Sequence, residues 1–294
     1  MMCRMRGWPI ALSIVLLALL CAFWAWRGHR AQTMGAEAAV EVIAGGDGGG
    51  LPRADAVAEG FDAVALQAAV DLARQQNLGA LLIARHGHLI VEQYGGGADA
   101  DTLVAGGGLD HDLDATVVLL AAGVAVVQNR MIMPARPFES VRLIDAITRA
   151  SQLRYPQFLS RNLWQPLNAA AARWSATGLS ARASDWLRLA ELLLHDGRFE
   201  GTQVIPKGWV QFAAKPHAAS GAEPLAADDG YVLQGLALVR LWLMPRLDLA
   251  IVQVKAASSS TDQDETRLPN KIIRALRDRQ SASGVSLNDL VPGH

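Results

Sequence analysis

The apolar positions of this 294-residue chain change period from one segment to the next, and the changes mark its elements. From Phe61 onward Val64, Leu66, Ala69, Val70, Leu72 and Ala73 recur at helical spacing, and Gly79 reads as the stop of that helix. Two runs follow, Ala80–Ala84 and Leu89–Tyr94, separated by Arg85-His86-Gly87-His88, which predicts a hairpin with Gly87 at the position where positive φ is cheap. Thr116–Val127 is apolar almost all round and predicts a helix buried on every side, with Asp110, Asp112 and Asp114 before it suited to the positive end of its dipole. Further helices are expected over about 140–150 and 183–194 and from Glu265 to Asp278. A second hairpin is expected where Ala237–Met244 and Leu249–Val254 flank residues 245–248. Terminal helices on antiparallel strands with a helical insertion between them describe an α+β fold.

Outside that pattern the chain divides differently. Trp8–Trp26 carries no charge and is long enough, as a helix, to cross a bilayer core. Its Leu, Ile, Val and Phe residues together favour insertion by roughly 3–5 kcal/mol. Tryptophans at both ends, with Arg4 and Arg6 before and Arg27 and Arg30 after, suit interfacial anchoring, so residues 1–30 are expected to be a transmembrane anchor or an uncleaved signal. Leu19-Leu20 before Cys21 places bulky side chains where lipid attachment needs small ones, which argues against a lipoprotein. Residues 31–58, rich in Ala and Gly, read as a flexible tether to a domain over 59–280, and 281–294 as a polar tail. The apolar half of the composition supports a substantial core, and the net charge of −1 argues against a nucleic-acid partner. The only cysteines are Cys3 and Cys21, so the region after the apolar run has neither disulfide nor thiolate metal site.

Several segments resemble one superfamily in the right order. Gly178-Leu179-Ser180, Asp185-Trp186, Leu192-Leu193-Leu194, Gly197, Gly201, Val204, Pro206 and Trp209 are similar to the late helical part of serine β-lactamases and penicillin-binding-protein-like esterases. Tyr155–Leu167 resembles a second segment of that family, Phe61–Tyr94 its opening helix and hairpin, and Val239–Val254 its last two strands. The resemblance spans about residues 60–280, with a shortening between Met133 and Ser140. It implies a β-lactamase-like fold: an antiparallel sheet flanked by terminal helices, here with a shortened helical subdomain. It also implies a domain outside the cytoplasmic membrane, periplasmic or extracellular.

The chemistry that the resemblance implies is missing. Family members acylate a serine in a Ser-x-x-Lys pair one helical turn apart, so that the lysine faces the hydroxyl. Matching Gly123–Val126 to the family motif places those positions at Asp112 and Ala115, and no serine anywhere has a lysine three residues later. No Tyr-x-Asn or Tyr-x-Ser follows Tyr94, Tyr155 or Tyr231, and the strand element Lys-Thr-Gly reads Gln234-Gly235-Leu236. Losing the nucleophile or its base typically costs on the order of 10⁶-fold in rate. No catalytic residue, cofactor or metal is therefore assigned; Asp112, Ala115, Gln234 and Gly235 are degenerate motif positions. Expected partners are the membrane, through residues 8–26, and a peptide, a cell-wall fragment or an active paralogue. The alternative is a hydrolase or esterase with a rebuilt centre that uses Ser180, His111 or the acidic cluster. Three further groups read as structural: Asp110–Asp114 as helix capping with solvation rather than a metal site, His86 and His88 as exposed turn residues, and His195-Asp196-Gly197 as a helix C-cap.

Overall fold

A computed structural model describes residues 40–128, 130–133, 139–214, 221–235, 239–256 and 264–277. The apolar run 8–26 and the tail 281–294 lie outside the described residues. Among the described residues no helix is long and apolar enough to cross a membrane.

In chain order the elements are β1 (Glu41–Ile43), α1 (Ala63–Gln75), β2 (Leu78–Arg85), β3 (His88–Tyr94), β4 (Leu103–Ala105), α2 (Asp112–Val127), α3 (Ser140–Ser151) and α4 (Tyr155–Leu159). They continue through β5 (Ala172–Ser175), β6 (Gly178–Arg182), α5 (Ala183–Leu194), β7 (Arg198–Phe199), β8 (Thr202–Gln203), α6 (Val210–Ala213), β9 (Tyr231–Gln234), β10 (Val239–Met244), β11 (Leu249–Lys255) and α7 (Arg267–Arg274). The main sheet has the order β3-β2-β11-β10-β9, antiparallel throughout. Strand side chains alternate between faces, and here both faces are apolar, so β2 is buried along its whole length. Leu81, Ile83, Trp242, Met244 and Ile251 meet α1 and α7 on one face. Leu82, Ala84, Leu241, Leu243 and Val252 meet α2 and α5 on the other. This is the expected α+β arrangement, with helices from near the two ends of the folded unit sharing one face.

Two details of the opening helix differ from the sequence reading. Val64 is 81% exposed, so the buried stripe runs through Leu66, Ala69, Val70, Leu72 and Ala73. The helix is capped by Asp62, whose carboxylate accepts from Ala65 N at 2.9 Å, and it ends before Gly79. Asn77 takes the left-handed turn (φ 52°), and Gly79 lies inside β2 because the ladder to β11 extends back to Leu78. The first hairpin turns at His86 and Gly87, both at positive φ, and the second turns at Asp248 (φ 46°).

The tether expected over 31–58 does not hold for its second half. Glu41–Ile43 pairs with β5 in a second antiparallel sheet of order β1-β5-β6-β4, and Ile43 is buried. Ser160 Oγ donates to the Ala44 carbonyl at 2.7 Å, and Gly46 N donates to Ala169 O at 2.8 Å. Leu51 is buried, and Leu89 N donates to Pro52 O at 2.8 Å. Glycine at 45 allows the backbone to approach Ala169 and Ala170 where a side chain would overlap them. The Gly-rich composition here reflects close packing rather than freedom, and the folded unit begins at Glu41.

The motif residues behind the resemblance hold neighbouring elements together. Trp209 Nε1 donates to Leu119 O at 2.8 Å, and its indole occupies the space that a side chain at Gly123 would need. Asp185 accepts from Ala170 N at 3.0 Å and pairs with Arg188 at 2.8 Å, both side chains being almost fully buried. Trp186 Nε1 donates to Val104 O at 3.1 Å, tying α5 to the second sheet.

Candidate functional site

The turn that opens α2 is where the resemblance would place the reacting groups. Asp112 and Ala115 occupy the first turn of the helix, preceded by His111, which has an extended backbone and makes no side-chain cap. Asp114, two residues into the helix, is fully buried. Its Oδ2 accepts from Gly108 N at 2.6 Å and its Oδ1 from Leu179 N at 3.2 Å, fastening the loop before the helix to the start of β6. Burial pushes its carboxyl up to about 6 against those two hydrogen bonds. A side chain at Gly106 or Gly178 would strike this carboxylate, which explains why both neighbours are glycine.

The remaining motif positions come to the same end of the sheet. α2 lies beside β9, and Gly235 packs against the Gly106 carbonyl so closely that a side chain there would overlap it. Gln234 Nε2 reaches Glu265 at 3.4 Å, and Glu265 also pairs with Arg240. Gly235 thus allows a tight backbone approach, beside an amide occupied by a carboxylate. Tyr155 is buried edge-on against Trp174, with ring centroids 4.9 Å apart, and its hydroxyl has no hydrogen-bond partner. Burial and the Asp114 charge hold that hydroxyl well above the usual tyrosine range. Ser180 lies on β6, paired with Ala105 and Arg173. Among the described residues no serine hydroxyl is hydrogen-bonded to a lysine or histidine.

The carboxylates of Asp110–Asp114 neither cap the helix as a group nor gather on one point: Asp110 is exposed, whereas Asp114 is a buried clamp between two backbone segments. His86 and His88 do converge, on Glu59, which their Nδ1 atoms approach at 2.7 and 3.1 Å. His86 lies in the turn before β3 with a left-handed backbone (φ 51°), and His88 is the first residue of that strand.

A second polar group sits at the other end of the sheet, where the two hairpins turn. The end of α5 is the expected C-cap: Asp196 takes the left-handed position (φ 48°), and Gly197 N donates to Leu192 O at 2.8 Å. The His195 side chain, however, is more than part of a cap. Its Nε2 lies 3.1 Å from Asp248 Oδ1 in the β10–β11 turn, and its Nδ1 lies 2.9 Å from the Glu191 carbonyl. The Asp248 hydrogen bond pushes His195 up to about 9, while His195 holds Asp248 below the usual carboxylate range. Glu191 is 2% exposed, and burial pushes it up to about 7. The i,i+4 spacing of Glu191 and His195 is the sequence signal that could have found half of this group. Asp248 comes from a distant hairpin and carries no such signal. A cavity of about 250 Å³ adjoins the group, bounded by Glu191, His195, His86, Leu51 and Phe199.

No protein-family model and no curated relative matches the chain by sequence. Solved structures do match. A Bacillus anthracis protein carrying the provisional name 6-aminohexanoate-dimer hydrolase aligns over 88% of this chain and 94% of its own, at 12% identity and a TM-score of 0.58. A β-lactamase from Mycobacterium bovis aligns over 72% and 99%, at 14% identity and a TM-score of 0.54. FmtA from Staphylococcus aureus aligns over 73% and 90%, at 9% identity and a TM-score of 0.50. With the antiparallel sheet, its two helical layers and the glycine-lined approach to α2, these likenesses establish that the chain has the β-lactamase-like fold.

Proposed function

We propose that this chain is a member of the serine β-lactamase and penicillin-binding-protein-like hydrolases that no longer performs acyl transfer and serves instead as a binding or regulatory module. Residues 8–26 anchor it in the cytoplasmic membrane, with the folded unit on the outer side. Its partner is a peptide, a cell-wall fragment or an active paralogue. The observation that supports this reading is the first turn of α2. By the resemblance, Asp112 and Ala115 in that turn take the places of the family's serine and lysine and supply neither a hydroxyl nor an amine, and each oxygen of the buried Asp114 accepts from a backbone N–H group. With neither nucleophile nor base in place, no proton can be moved to a leaving group in the family manner.

Incubating the full-length chain in detergent with a fluorophosphonate and with a labelled penicillin tests this. No covalent label is expected. Labelling that a single serine substitution abolishes would establish a working nucleophile and overturn the proposal.

A further inference from the structure

Glu191 and His195 leave the same face of α5 one turn apart, and Asp248 approaches from the β10–β11 hairpin. One ligand-capable atom from each residue lies within 4.8 Å of the other two. The 3.1 Å between His195 Nε2 and Asp248 Oδ1 is close to the ~3.3 Å edge of a tetrahedron whose metal–ligand bonds are about 2.1 Å.

Glu191 separates this group from an ordinary ion pair. Its Oε1 is buried without a hydrogen-bond partner, and its Oε2 stands 3.7 Å from His195 Nδ1, beyond hydrogen-bond reach. An unsatisfied buried carboxylate oxygen is costly, and a cation would remove that cost. The imidazole is already oriented for the purpose. Its Nδ1–H donates to the Glu191 carbonyl at 2.9 Å, the kind of outer contact that fixes metal-bound histidines, which leaves Nε2 facing Asp248. Two carboxylates and an imidazole that gives up, on binding, the Nε2 proton it donates to Asp248 balance a divalent charge, and a mixed nitrogen and oxygen set suits zinc. Arg85, the neighbouring cation, donates to the carbonyls of Leu247 and Glu59.

We propose that Glu191, His195 and Asp248 form a three-ligand site for a divalent transition-metal ion of the zinc class, its fourth position facing the cavity that Glu191 and His195 border. That position holds water or a small oxygen-donor ligand. The site is separate from the first turn of α2 and does not depend on whether acyl transfer is lost.

The test uses the full-length chain in detergent, stripped with a chelator and titrated with Zn²⁺ by calorimetry and with Co²⁺ by visible absorption. One equivalent of Zn²⁺ is expected, with affinity reduced more than about tenfold in Glu191→Gln and His195→Gln and unchanged in Asp71→Asn on the exposed face of α1. The Co²⁺ ligand-field bands should disappear with the same two substitutions. Glu191→Gln removes a buried charge without changing shape, so it carries the test even if His195→Gln fails to fold. Absence of Zn²⁺ uptake, or uptake that both variants leave unchanged, overturns the proposal.

Discussion

The two ends of the central sheet each bury a carboxylate on a helix, and the two are treated in opposite ways. Asp114 in α2 has a backbone donor on each oxygen, whereas Glu191 in α5 leaves Oε1 with none. The first arrangement joins the loop, the helix and β6, and leaves neither carboxylate oxygen without a donor. The second leaves capacity unspent beside a cavity. A buried acid therefore does not by itself mark a site; the informative quantity is how much of its hydrogen-bonding capacity the fold has already used.

The largest expected effect comes from cutting the clamp. Asp114→Ala orphans two buried N–H groups and should lower the unfolding free energy by about 2–5 kcal/mol in chemical denaturation. The clamp should also leave a signature in pH. Asp114 rises from 3.8 when free to about 6 in the folded chain, so between those values the folded state holds a proton that the unfolded state has lost. Its contribution is therefore most favourable below about pH 4 and declines as pH rises to about 6, by about 3 kcal/mol in total. The stability difference between the wild type and Asp114→Asn, followed across that range, isolates the slope.

A smaller loss is expected where the family motifs meet. Gly123→Ala pushes a methyl group into the Trp209 indole, and overpacking of about 1–3 kcal/mol is partly offset by about 1 kcal/mol of helix propensity. Thermal unfolding should show a modest fall. At the other end of the sheet, Glu191→Gln in metal-free protein should cost no stability and should raise it above about pH 7, because the neutral amide avoids burying a charge that no donor meets. A loss as large as that of Asp114→Ala would erase the contrast between the two ends.

Much of the fold was legible because its strands and its central helix are apolar in ways that only burial explains. Leu81–Ala84 and Thr116–Val127 announce themselves by composition and period. Residues 41–58 did not, since an Ala- and Gly-rich stretch looks the same whether it is free or pressed against Ala169 and Ala170. The first turn of α2 was legible as a helix start, through Asp112 and the apolar run that follows it. The clamp at Asp114 was not, because its partners Gly108 and Leu179 are backbone groups and leave no mark in the sequence. The cap at His195–Gly197 was legible, whereas the contact of His195 with Asp248 was not, because Asp248 reaches it only through the sheet register that pairs Met244 with Leu249.

The most direct test of a silent α2 turn is the rate at which the full-length chain hydrolyses a chromogenic β-lactam and an activated ester. The predicted rate equals the spontaneous background and is unchanged by Asp112→Ala, His111→Ala or Ser180→Ala. A rate well above background that any one of those substitutions collapses would contradict it and place a working centre in that turn.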